Sequence, residues 1–232
     1  MENRIHGEYW DMEDYSGIVL LGEAGCGKSE AAINLAIRLS KKRAVDLFDL
    51  DQTKVLFRTR DAAKRLERYP IRVRYEEQFY DVPNAVGGVD ESIASTDRVT
   101  ILDIGGDDIG AKLIGSYAPL LNRGNIKVLY LVNAYRPWSQ TIEAVDGTLS
   151  AILAACRVRR VSFAANPYLG REMTAEEYER GLDKTIGMLQ PYASIEGACV
   201  PERLAGQADL RALPCLPIHQ YLHYQWEEEK EG

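Results

Sequence analysis

Nine consecutive residues, Gly22-Glu23-Ala24-Gly25-Cys26-Gly27-Lys28-Ser29-Glu30, place three glycines, a lysine and a hydroxyl in the order GxxxxGKS. Each residue type has a chemical reason to be there. Glycines accept positive φ and close backbone approach, so successive N–H groups can wrap phosphate oxygens. The Lys28 ammonium reaches the β and γ oxygens, and the Ser29 hydroxyl can ligate magnesium. The chemistry implied is binding of a nucleoside triphosphate with Mg²⁺. An apolar run at 17–21 precedes the loop and a helix-like run at 31–37 follows it, which is the strand-to-helix context that such a loop requires.

Two acidic strand ends could complete that chemistry. Val99-Thr100-Ile101-Leu102-Asp103 is an apolar strand ending in a carboxylate, the position from which an acid holds the metal through water. Asp103 opens D-I-G-G-D-D, in which Gly106 lets the backbone approach a γ-phosphate and move when it leaves; a plain turn is the alternative. The strand Ala44–Asp51 ends in D-L-D. Carboxylates two apart share one side, so Asp49 and Asp51 are expected at the sheet's carboxyl edge, where Asp51 could orient or deprotonate a water.

Apolar, β-rich runs at 17–22, 44–50, 71–75, 98–104, 126–133, 160–165 and 195–200 alternate with helix-like spacing at 28–40, 59–69, 138–156 and 174–189. The pattern predicts an α/β fold, a P-loop NTPase with a mostly parallel sheet of about seven strands and helices on both faces. Thr174-Ala-Glu-Glu177 reads as a capping box. The 232 residues, 46% of them apolar, fit one nucleotide-binding domain with an N-terminal extension (1–16), an irregular excursion (79–96) and an acidic tail (227–232).

A net charge of −7 disfavours a nucleic-acid footprint, and Arg157–Arg160 reads as a solvated helix end. Cys26, Cys156, Cys199 and Cys215 lie too far apart to signal zinc or a disulfide framework. The N-terminus has no leader pattern, and the acidic C-terminus is no membrane anchor, so a cytoplasmic protein is expected. Cys26 reads as a small spacer, with oxidation as the alternative reading. His219 and His223 read as a surface pair before a metal site. The aromatic stretches 133–138 and 214–226 read as packing or interface.

The ordered set GxxxxGKS, DLD, DIGGDD, VNAYRP and ANPYLGREMTAEE resembles the MinD/ParA/CobQ-type P-loop ATPases, the class that contains the nitrogenase iron protein, and within it a single-domain bacterial ATP-binding branch. The resemblance covers roughly 17–220. It implies that the 22–30 loop holds ATP and Mg²⁺, with Asp51 positioning the attacking water. Asp103 would be the metal-linked acid, with Gly106 contacting the γ-phosphate. Asn166, followed by Pro167, would read the adenine edge while the loop around Pro201 closes over the base. Ser29, Asp51 and Asp103 would form the metal set, and Lys28, Asp51 and Asp103 the catalytic set.

Two departures from the family pattern alter these expectations. Many members carry a second lysine after the first loop glycine, which crosses a sandwich dimer to the partner's phosphates; this chain has Glu23. A carboxylate near a triphosphate repels unless it turns away or finds a cation, so slow hydrolysis and a weak homodimer are expected. Lys54–Arg58 keeps little of the branch's pattern, and Arg58 is expected to pair with Asp61 or another acid rather than with phosphate. The leading function is an ATP/ADP switch acting on an unidentified protein partner. The alternative is a ligase or kinase that activates a small carboxylate, for which Arg58, Arg72, Arg74 and the 79–96 excursion are the available anchors.

Overall fold

Strands buried on both faces need apolar residues on both, and the runs read above supply them. In β1 (Gly17–Gly22), Ile18 and Leu20 join one core cluster, while Val19 and Leu21 join another on the opposite face. A computed structural model describes residues 8–51, 58–75, 87–106, 112 and 115–222. The remaining strands are β2 (Ala44–Leu50), β3 (Ile71–Arg74), β4 (Arg98–Ile104), β5 (Ile126–Val132), β6 (Ser162–Ala165), β7 (Ile195–Pro201) and β8 (Cys215–Ile218). They form one parallel sheet of eight strands in the order β3-β2-β4-β1-β5-β6-β7-β8. The eighth strand is one more than expected. Its four residues include Pro217, and a proline lowers strand propensity everywhere except at an edge, which is where β8 lies.

Helix α1 (Lys28–Ser40) covers one face, with Ile33, Leu35 and Leu39 packed among Leu20, Leu47 and Ile101. The short α2 is Ala63–Leu66, and the helices after it, α3 (Val89–Ala94), α4 (Ala118–Leu121) and α5 (Ile142–Cys156), cover the other face. Val89, Ile93, Leu121, Val145 and Ile152 pack there against Phe48, Leu102 and Tyr130. Helix α6 (Ala175–Leu189) begins at Thr174, whose hydroxyl accepts from the Glu177 amide while the Glu177 carboxylate accepts from the Thr174 amide. That reciprocal cap, worth about 1 kcal/mol, fixes where the helix starts. The expected 59–69 helix is a 3₁₀ turn (Thr59–Ala62) running into α2, because Asp61 caps Arg58 instead of continuing a regular turn.

The N-terminal extension is integral to the sheet over its described part. Trp10 and Met12 are buried, the Trp10 amide donates to Cys215 O, and the Cys215 amide donates to Glu8 O. Gly197 has no side chain because the Trp10 ring lies against it; an added Cβ would sit 2.5 Å from a ring carbon. Within the 79–96 excursion, residues 89–94 are helical, and 79–86 lie outside the described residues. The 227–232 tail, His223 and residues 54–57 also lie outside them.

Candidate functional site

Parallel topology brings every strand's carboxyl end to one edge of the sheet, and that edge collects the expected residues. The 22–30 loop follows β1. Asp49 sits within β2 and Asp51 just beyond it, Asp103 sits within β4 with Gly106 beyond it, Asn166 and Pro167 follow β6, and Pro201 ends β7. Register aligns Leu20, Asp103 and Asp49 across β1, β4 and β2.

Loop geometry suits a phosphate. Gly22, Gly25 and Gly27 all have positive φ. Gly27 is the N-cap of α1, no side chain caps the helix there, and a helix N-terminus is the end that favours an anion. A Cβ at Gly27 would lie 2.2 Å from Asn166 Nδ2, so only glycine allows that approach. Gly106 plays a similar part: a Cβ there would lie 2.6 Å from Ala24 N, which puts the loop after Asp103 directly against the phosphate loop's backbone. Lys28 is buried, and its ammonium donates to Gly22 O at 2.9 Å and Glu23 O at 2.8 Å. Ser29 is buried beside it, while Ala24 is exposed and Glu30 half-buried. The Glu30 carboxylate turns away, accepting from the Tyr221 and Leu222 amides.

The acids divide into different environments. Asp103 is fully buried and accepts at 2.7 Å from the hydroxyl of Thr59, itself fully buried. Asp49 is held by Arg60, whose Nε donates to Oδ2 at 2.8 Å and whose backbone amide donates to the same oxygen at 2.9 Å. Asp51 is buried, and its carbonyl accepts from Arg60 at 3.1 Å. Asp49 of the D-L-D pair is therefore tied to Arg60, while Asp51 lies just beyond the strand. Thr59 and Arg60 escaped the sequence reading because nothing local marks them; they matter only because the 3₁₀ turn folds back over the strand ends. Arg58 pairs with Asp61 at 3.0 Å, as expected.

Glu23 points inward rather than towards a phosphate or a partner. It is 5% exposed, near Thr148 of α5 and Tyr130 of β5. Burial pushes its carboxyl above the usual glutamate value, opposed by the Thr148 hydroxyl and the Lys28 charge. Burial, and then the Glu23 charge, push the Tyr130 hydroxyl up as well. Glu23 Oε1 and the Tyr130 hydroxyl are both buried with no hydrogen-bond partner among the described residues. The Glu23 side chain is thus taken up beside α5 and β5 rather than exposed on the loop.

Asn166 contacts the loop itself: its Nδ2 donates to Cys26 O at 2.7 Å. The amide nitrogen thus braces the phosphate loop. Arg136, within the stretch read as packing, braces it from the other side, Nε donating to Gly25 O at 3.1 Å. Cys26 is fully buried, which fits a spacer better than an oxidisable thiol. His219 bonds Glu202 at 3.1 Å, and among the described residues no group of three or more His, Cys, Asp or Glu is placed to hold a metal ion.

Solved structures share this geometry at the level of the fold. The signal recognition particle receptor FtsY of Elizabethkingia anophelis, in complex with GDP, superposes with a TM-score of 0.57 at 16% identity, over 90% of this chain and 64% of that one. FtsY of Thermotoga maritima gives 0.53 at 15% identity, over 91% and 70%. A plasmid partition protein of Borrelia burgdorferi gives 0.51 at 14%, over 80% and 90%. The chain has the P-loop NTPase fold. It spans about two thirds of the length of the first of these structures. No family model matches the sequence, and no curated protein does.

Proposed function

We propose that the chain binds Mg-ATP in the 22–30 loop and acts as a nucleotide-dependent switch on a protein partner, with slow hydrolysis. The observation that carries this reading is the contact of Gly106 with Ala24, which joins the loop after the buried acid Asp103 to the phosphate loop. A γ-phosphate held at the 22–30 loop would press on that junction, and its loss would release it.

The residues divide the work. Lys28 must leave Gly22 O and Glu23 O to reach phosphate oxygens, exchanging two carbonyl partners for an anion. Ser29 with Asp51 and Asp103 offers oxygen donors of the kind magnesium takes, and the bound ion would neutralise charge on the phosphates. Thr59 fixes the Asp103 carboxylate, and Asn166 and Arg136 fix the loop's carbonyls, so little needs reordering on binding. Adenine is proposed over guanine because the sequence has no Asn-Lys-x-Asp guanine-reading motif and Asn166 matches the family's adenine-reading position. A homodimer is not opposed by Glu23, because that carboxyl is buried; the loop presents no trans-acting lysine either, which supports slow turnover.

The ligase or kinase reading is less well supported. Its anchors Arg72 and Arg74 lie on the edge strand β3, at the level of Asp46 and Phe48, and Arg58 is paired with Asp61. Phosphate release measured with mass by light scattering, in ATP and in ADP, tests the switch. It predicts slow release and a nucleotide-dependent change in mass, alone or with a captured partner. Rapid release together with an unchanged mass and no nucleotide-dependent partner would contradict it.

A further inference from the structure

Away from the phosphate loop, β2, β3, β4 and α3 border an open cavity of about 490 Å³ lined by Arg72, Arg74, Arg98, Asp46, Ser92 and Gly88. We propose that this cavity binds a small polyanion, a phosphate ester or a polycarboxylate, at a site separate from the nucleotide.

Charge is the first argument. Asp46 is 1% exposed, and Arg72 engages it with both Nε, at 2.7 Å, and a terminal nitrogen, at 3.1 Å. Arg98 Nε lies 3.0 Å from its other oxygen, and the Ser92 hydroxyl donates to that oxygen at 2.9 Å. Arg72 and the Ser92 hydroxyl therefore hydrogen-bond this carboxylate already, and Arg98 is ion-paired beside them. Arg74 is the surplus cation. Its Nε lies 3.9 Å from Asp46, beyond hydrogen-bond distance, and, like Arg98 Nε, it has no hydrogen-bond partner among the described residues. Glu91 is the other acid on the lining, so three guanidinium groups face two carboxylates, one of them saturated.

The second argument is shape. Gly88 has φ +85 at the start of α3, and the site a Cβ would occupy there is 3.7 Å from both Arg74 Nη1 and Glu91 Oε2, so the guanidinium lies alongside this turn in the cavity wall. A guanidinium's parallel donors select planar or tetrahedral oxyanions that accept two bonds at once.

Position separates the site from the nucleotide. Asp46 is in register with Thr100 and Gly17, whereas Asp103 is in register with Leu20. Three residues of strand are about 10 Å, and β4 intervenes between β2 and β1. A ligand in this cavity therefore does not receive a phosphoryl group from the 22–30 loop.

Isothermal titration with pyrophosphate and with citrate tests the proposal on the wild type, Lys28→Ala and Arg74→Gln. One of the two probes should bind Lys28→Ala as it binds the wild type, and Arg74→Gln should lose about tenfold or more, since two charge-assisted bonds disappear. Whichever probe binds tighter distinguishes a phosphate source from a carboxylate source. Arg74→Lys, which keeps the charge but not the fork, should recover only part of the affinity. Equal affinity of Arg74→Gln and wild type for both probes would overturn the proposal. So would binding abolished by Lys28→Ala and untouched by Arg74→Gln, which would place the anion in the phosphate loop.

Discussion

Glu23 and Lys28 lie five residues apart in one loop, yet they meet opposite environments. Lys28 is held by carbonyls that an anion can replace, whereas Glu23 is enclosed beside Tyr130 and Thr148. Because burial raises the folded carboxyl's pKa, the folded chain keeps a proton that the unfolded chain has released over the window above the ordinary glutamate value. The stability tied to that proton is complete below this value and is lost as pH rises through the folded pKa. Glu23→Gln stays neutral throughout. Its melting temperature should exceed that of wild type by a few degrees at neutral pH, with the gap closing as pH falls towards the ordinary glutamate value. Parallel melting curves across that range would show that Glu23 is not held neutral by its surroundings. In sequence Glu23 stands at the position of the family's trans-acting lysine, where it repels a triphosphate unless it turns away or finds a cation. Nothing in a local pattern reports that α5 leaves room beneath the loop.

At the scale of elements, the strand-to-helix turn was legible because it depends on residue type alone: an apolar run, glycines with positive φ, and a periodic helix. The acid-bearing strand was legible for the same reason, and Asp103 lies at its carboxyl end. The 3₁₀ turn that supplies Thr59 and Arg60 was not, because its function arises from long-range hydrogen bonds, Thr59 to Asp103 and Arg60 to Asp49. Thr59→Val keeps the shape and removes the hydroxyl. It should cost about 1–2 kcal/mol in chemical denaturation and weaken Mg-dependent nucleotide binding more than Mg-free binding. Unchanged stability together with unchanged magnesium dependence would remove Thr59 from the site.

Across the whole molecule, alternation of strands and helices predicted the parallel sheet, and the count fell one short because β8 is a four-residue edge strand carrying a proline. Its place is secured by the N-terminal segment, whose Trp10 seals β7 at Gly197 while its backbone bonds β8. That segment reads as an appendage in sequence because it has no periodicity, and only the packed sheet shows what it covers. Trp10→Ala should destabilise the fold by about 3 kcal/mol in urea denaturation, a cavity cost that an appendage would not incur.

The central claim is that the 22–30 loop binds ATP in preference to GTP, through Lys28. Isothermal titration of both nucleotides with magnesium into wild type and Lys28→Ala measures it directly. Wild type should bind ATP more tightly than GTP, and Lys28→Ala should lose about a hundredfold in ATP affinity, the loss expected when a buried charge-assisted contact to phosphate is removed. Equal ATP affinity of the two proteins, or tighter binding of GTP by wild type, would contradict the account.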